Sequence, residues 1–328
     1  MRWLAWTTAV TAVLVLLAAG GAALYGVEHF ERPGPLSEDR VVNIPPGSGL
    51  TDIVAELESA GVIEEPLIFR LGTRALGASR RLQAGEYLFP AGVSMRGAVA
   101  ILMSGKTVVH RLTLPEGITS DEAVALIAAA EPLTGKIDTV PSEGSLLPET
   151  YHFARGDTRP ELVRRMAAAQ GALLDELWPT RRENLPFSTR EEAVTLASIV
   201  EKETAVPEER PLVASVFVNR LRKGMRLQSD PTVVYGLTKG KGPLGRPLTH
   251  ADLQVPTPYN TYLIDGLPPG PIANPGRAAL AAVLDPADSE YLYFVADGSG
   301  GHAFAKTLAE HNRNVAKWRK VRRDETTE

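Results

Sequence analysis

From Trp3 to Val27 no side chain carries a charge, and ~20 such residues suffice for a helix to cross the hydrocarbon core of a bilayer. This run constrains everything after it, because the rest must fold as a body attached to a membrane or released from one. Arg2 and the amino terminus precede the run, and Glu28 and Glu31 follow it. The bias of basic residues therefore puts the N-terminus in the cytoplasm and the body on the periplasmic or extracellular side of the cell membrane. The small residues Ala18, Ala19, Gly20, Gly21 and Ala22 would also suit a signal peptidase. An uncleaved single-pass anchor is the preferred reading, because the run exceeds the ~7–15 residues of a secretory h-region. Either way the body is exported.

The 328 residues, 44% apolar and 23% charged, are enough for two compact units with separate cores. A formal charge of −4 provides no global field for phosphate polymers, which excludes nucleic acid as the expected partner. There is no cysteine, so disulfides, thiolate nucleophiles and Cys-ligated zinc are excluded. No metal or organic cofactor is expected.

Residues 28–39 (EHFERPGPLSED) are polar and hold two prolines and a glycine, the composition of a short linker. Beyond them Val41 to Ile44 reads as a strand. Leu50, Ile53, Val54 and Leu57 follow at helical spacing until Gly61, and a second helix covers Pro66 to Leu76. Leu82 to Phe89 returns to an extended pattern, Ser94 caps a helix ending near Gly105, and Thr107 to Leu114 alternates like a strand. A small α+β unit over residues 40–106 is expected, then a larger mixed α+β domain over 107–328. Thr119-x-x-Glu122 is a capping box at the head of an Ala-rich helix. After Gln228 the texture changes to Pro, Gly, Asn and Tyr in long irregular stretches, where binding groups usually sit. Tyr291 to Ala296 reads as β, followed by a glycine turn and a closing helix.

The helix from Thr189 to about Thr204 carries the best case for chemistry. Ser188-x-x-Glu191 reads as its capping box, and Ala193, Val194, Leu196, Ala197, Ile199 and Val200 give it a wide apolar face. At ~100° per residue Glu201 falls between Val194 and Ala197, and Glu203 lies roughly 160° away near Leu196 and Ile199. Two acids so placed do not flank one bond as a two-carboxylate hydrolase requires. A single acid at the edge of an apolar face, its pKa raised by lost hydration, fits better. Spacing alone nevertheless favours the plain reading, in which both glutamates end the helix in solvated ion pairs. His302, in a glycine-rich turn (DGSGGH, 297–302), could expose its ring to a substrate or make a simple surface contact.

LASIVEKET (196–204), RPLVASVFVNRLRKGMRLQSDPTVVYGL (210–237), PTPYNTYLIDGLPPGPIANPG (256–276) and YLYFVADGSGGHAF (291–304) together resemble the MltG/YceG family of endolytic peptidoglycan transglycosylases. The likeness covers almost all of the distal half, in order and at compatible spacing. SEGSLLPETYHF (142–153) matches the family more loosely, with Ser145 and Glu149 departing from its pattern. The resemblance implies a membrane anchor over 1–27, a linker over 28–39, a LysM-like subdomain over 40–106 and a catalytic domain over 107–328. It implies cleavage of the MurNAc–GlcNAc β-1,4 bond to leave a 1,6-anhydro end, which would limit strand length. Glu201 is then the catalytic residue, acting as general acid and afterwards as base. Gln228, Asp230, Tyr235, Asn260, Thr261 and Tyr262 become substrate-binding candidates in the matched loops, with Glu203 and His302 beside them; turn formation is the competing role for Asp230 and Asn260. The expected partners are peptidoglycan strands, the membrane and the peptidoglycan synthases. The alternatives are a scaffold that binds glycan without cutting it, and a hydrolase using Asp230 or Glu149 as second carboxylate.

Overall fold

The computed structural model describes residues 2–325. Met1, at the head of the expected anchor, and residues 326–328, at the end of the expected catalytic domain, lie outside the described residues. The chain divides into two compact units. One takes the chain through His110 and, again, His152–Gly156; the other takes Arg111–Tyr151 and the chain from Asp157 onward.

The first unit begins with α1 (Arg2–Glu31), which is long and apolar enough to cross a membrane over Trp6–Glu31, with none of its most apolar 18-residue window buried in protein. Its last turn departs from the expected linker. Residues 28–31 stay helical, and Phe30 and Leu36 are buried in the unit's core. Then come β1 (Arg40–Ile44), α2 (Leu50–Ser59), α3 (Pro66–Ala75), β2 (Gly85–Phe89) and α4 (Met95–Ser104). β1 and β2 pair antiparallel from Arg40 opposite Phe89 to Ile44 opposite Gly85. The strand face carrying Val42, Ile44, Tyr87 and Phe89 packs with Ile53, Leu57, Phe69 and Leu102 of the helices. Ser94 Oγ accepts from the Gly97 amide, and Gly105, at φ 65°, ends α4 in a left-handed residue, a conformation glycine adopts without steric cost. Glu86 on β2 is bonded to the His110 ring and, at 2.7 Å, to Arg155 Nε, which is why the short segment 152–156 belongs to this unit.

β3 (Val109–Thr113) and β4 (Thr150–Ala154) form a two-stranded sheet, and the boundaries between the units fall within both strands. The second unit holds α5 (Ser120–Ala129), α6 (Arg159–Leu177), α7 (Arg190–Glu203), α8 (Arg210–Arg222), α9 (Asp230–Thr238), α10 (Arg277–Leu284), β5 (Tyr293–Ala296), β6 (His302–Ala305) and α11 (Leu308–Glu325). α7 is the core helix, packed on α8 and α10. Every residue from Ala193 to Val200 is buried, so the expected apolar face is in fact the whole circumference. Ser198, inside that stretch, is satisfied by donating to the Thr195 carbonyl (2.7 Å) and accepting from the Ile272 amide (3.0 Å). The capping box lies one residue later than expected: Thr189 Oγ1 accepts from the Glu192 amide, and the Glu192 carboxylate accepts from the Ser188 and Thr189 amides. Glu192, by closing two amides instead of one, outcompetes Glu191 for that place. β5 and β6 form a hairpin, from Tyr293 opposite Ala305 to Ala296 opposite His302. The architecture is thus α+β, as expected, and among the described residues each sheet has two strands.

Candidate functional site

α7 is buried from Ala193 to Val200 and emerges at its last turn, where Glu201, Lys202 and Glu203 leave it in three directions. Glu201 is pinned by protein. Its Oε1 accepts from Arg210 Nη2 at 3.1 Å and its Oε2 from the Gly276 amide at 2.8 Å, with the side chain 3% exposed. Arg210 is shared with Glu116 at 3.2 Å. A Cβ at position 276 would displace the Glu116 carboxylate from its present place beside Arg210. Burial raises the Glu201 pKa and the Glu116 charge raises it further, opposed by the Gly276 amide and the Arg210 guanidinium. Lys202 donates to the Gly117 carbonyl at 3.3 Å.

Glu203 faces a cleft of about 440 Å³ lined also by Phe217, Arg220, Gln228, Asp230, Tyr262 and Tyr293. Protein packs densely around the carboxyl, and this desolvation pushes its pKa up to about 7. The Asp230 charge acts in the same direction, while the Ser229 hydroxyl, His302 and Arg220 oppose it. Ser229 Oγ donates to Glu203 Oε1 at 2.5 Å. A carboxyl poised near neutrality can both give and take a proton at working pH. Arg220 on α8 forms part of the floor. Its Nε donates to the Leu292 carbonyl (2.7 Å), its Nη1 to the Leu227 carbonyl (2.9 Å), and the guanidinium lies 5.2 Å over the Tyr293 ring. Asp230 also borders a second, more apolar cleft of about 340 Å³, with Thr119, Lys202, Tyr235 and Gly240.

The expected binding residues sort into two kinds. Gln228, Asp230 and Tyr262 line the Glu203 cleft, and Tyr235 lines the second. Tyr262 donates its hydroxyl to Asp230 Oδ1 at 2.6 Å. Gln228 has φ of 51°, a left-handed conformation that is uncommon outside glycine. In it the Gln228 amide donates to the Thr261 carbonyl and its side-chain oxygen accepts from Arg220. Asn260 and Thr261, by contrast, are fully buried. Asn260 donates to the carbonyls of Leu253 and Val255, the turn-forming role weighed for it. Thr261 Oγ1 accepts from the Ser229 amide (2.9 Å) and pairs with Thr232 Oγ1 (2.8 Å), so it holds the residue that bonds Glu203. His302 lies on β6, with its amide and Nδ1 on the Glu209 carboxylate at 2.7 and 2.6 Å. Glu149 is exposed at the start of β4. Glu201 lines neither of these two clefts, and Glu203, expected beside the substrate-binding residues, stands in the larger one. Arg220 and Tyr293 escaped notice in the sequence, since an arginine in an amphipathic helix and a tyrosine in a strand give no local signal of a shared cleft.

The YceG-like family pattern matches residues 42–317. A Bacillus subtilis (strain 168) protein named endolytic murein transglycosylase is 34% identical, with 92% of this chain and 91% of that protein covered. A Streptococcus pneumoniae serotype 2 protein of the same name is 31% identical over 92% of this chain, which spans 63% of its length. A crystal structure of a yceG-like protein from Listeria monocytogenes superposes with a TM-score of 0.50 at 34% identity, covering 84% of this chain and 99% of that one. With sequence, fold and relatives agreeing over nearly its whole length, the chain belongs to the YceG-like family.

Proposed function

We propose that this protein is an endolytic murein transglycosylase that cuts peptidoglycan glycan strands, with Glu203, and not Glu201, as the residue that moves the proton. The observation that carries this is the Glu203 carboxyl, which faces the larger cleft with its pKa pushed up to about 7. Glu201 already spends both oxygens on Arg210 and the Gly276 amide. Its place is to brace the end of α7.

Protonated Glu203 gives its proton to the glycosidic oxygen as the bond from C1 of MurNAc breaks. The resulting carboxylate then takes the proton of the C6 hydroxyl as O6 bonds to C1. A 1,6-anhydro end forms, no water is consumed, and the glutamate returns to its starting state. Such proton transfers contribute typically ~10²–10⁴ in rate. Arg220, Gln228 and Tyr262 offer donors for sugar hydroxyls and acetamido oxygens, while the Tyr293 ring offers a face for a pyranose. The envelope setting follows from α1 as anchor, with the N-terminus cytoplasmic and both units outside, beside the synthases that extend new strands. The first unit serves as the LysM-like module that holds the strand.

A second reading has one observation in its favour: Asp230 lines the same cleft as Glu203, as a hydrolase with two carboxylates would require. Mass spectrometry of glycan strands incubated with the full chain in detergent separates the readings. Fragments ending in 1,6-anhydro-MurNAc are expected. Reducing ends would mean hydrolysis and call for a second carboxylate, of which Asp230 is the one in the cleft, and intact strands that retain the protein would favour a scaffold.

A further inference from the structure

The wall chemistry leaves the outer face of α3 without a role. α3 is docked on the end of α1: Phe30 packs so closely on Gly72 that a Cβ there would lie 2.5 Å from its ring, and His29 Nδ1 bonds Glu65 at 2.7 Å. The far side of α3 presents Leu67 and Leu71, 64% and 55% exposed, with the exposed Arg74 on the same stripe at helical spacing. Leu76 follows at 42% exposed, then Arg80 and Arg81, both exposed. Among the described residues none of Arg74, Arg80 and Arg81 is in a salt bridge, and Glu64 and Glu65, at the other end of α3, lie 4.0 and 3.6 Å from Arg32. Exposed leucines interleaved with uncompensated arginines are the composition of a helix that lies in a bilayer interface, its leucines in the acyl boundary and its arginines at the phosphates.

We propose that this face of α3 lies in the leaflet from which α1 emerges and is held there by anionic phospholipid, so that the first unit is seated on the membrane and does not hang from it. The inference rests on the reading of α1 as an uncleaved anchor. Two observations select lipid as the occupant: the positive charge of the stripe, and the docking of α3 through Gly72 on Phe30, in the last turn of α1, which keeps this helix at the end of the anchor. No sugar polymer is selected by two leucines one helical turn apart.

The chain has no cysteine of its own, so single nitroxide labels can be placed on full-length protein in nanodiscs through Leu14→Cys, Leu71→Cys and Glu183→Cys. Relaxation by oxygen, which concentrates in hydrocarbon, is compared with relaxation by a water-soluble nickel chelate. Leu14→Cys reports whether α1 spans, and Glu183→Cys, exposed in the second unit, reports an aqueous site. In phosphatidylglycerol-containing discs the label at 71 is expected on the oxygen side, ~5–10 Å into the headgroup and acyl boundary. It should move toward water in purely zwitterionic discs and in a variant carrying R74S, R80S and R81S. An aqueous reading at 71 with a hydrocarbon reading at 14 overturns the proposal and leaves the anchor standing. Equal depth in both lipids overturns the assignment to anionic lipid. An aqueous reading at 14 overturns the anchor, and this proposal with it.

Discussion

Replacing Glu203 with Gln removes the group that must ionise while keeping an oxygen for the Ser229 hydroxyl to bond. Loss of a general acid and base lowers the rate ~10²–10⁴-fold, about 3–5 kcal/mol at the barrier. The same substitution has the opposite effect on folding. The folded protein raises the Glu203 pKa from 4.5 to about 7, so the fold favours the neutral form. That contribution is complete below the ordinary carboxylate pKa and is lost as pH rises through about 7, where the fold must hold a poorly solvated charge. The shift corresponds to about 3 kcal/mol, which Glu203→Gln escapes. The variant should therefore melt roughly 6–12 °C above the parent at pH 8.5 and close to it at pH 4. Glu201→Gln should do the reverse: activity is retained in part, while the charge-assisted bond to Arg210 is weakened at a cost of ~1.5–3 kcal/mol. Calorimetry and release of anhydro ends, measured on both variants, complete the test. If Glu203→Gln cuts strands at the parental rate while Glu201→Gln is dead and unchanged in Tm, the assignment of the proton to Glu203 is wrong.

Activity should be highest below about pH 7 and fall tenfold per unit above it, as Glu203 loses its proton in the fold; a flat profile from pH 6 to 9 would sink that expectation. Tyr262→Phe deletes the 2.6 Å bond to Asp230 and should weaken substrate capture about 5–10-fold, the size of a single ordinary hydrogen bond of about 1 kcal/mol, with little change in Tm. Thr261→Val leaves the Ser229 amide without its buried acceptor and takes one of the two partners of the Thr232 hydroxyl, which still donates to the Ser229 carbonyl. It should cost ~1–3 kcal/mol of stability, readable as a shift in the denaturation midpoint, and should also slow turnover because Ser229 no longer holds Glu203.

The elements of the first unit could be read from the sequence because each carries a local signature, such as the alternation at Val42 and Ile44, the Ser94 cap or the left-handed Gly105. α7 announced itself by its apolar run. Its carboxylates were harder. Helical angle separated Glu201 from Glu203 correctly, but could not tell which direction led to open space and which to Arg210 and Gly276, since those partners arrive from 9 and 75 residues away. Asn260 and Asp230 look alike as turn-forming polar residues. Only the fold sends one into the interior to close two carbonyls and the other to the cleft rim. Arg220 belongs to the site through carbonyls at 227 and 292, a relation that no pattern in the sequence of α8 encodes.

The return of His152–Gly156 to the first unit has a consequence for how these parts can be exchanged. A chimaera joined at residue 106 would import a new first unit while leaving behind Arg155, the ion-pair partner of Glu86, stranded on the recipient. Swapping the units cleanly needs three junctions, one near 110 and two around 151 and 157. A lineage that recombined at a single point would inherit a mismatched Glu86, so the two units are expected to travel together through evolution despite having separate cores.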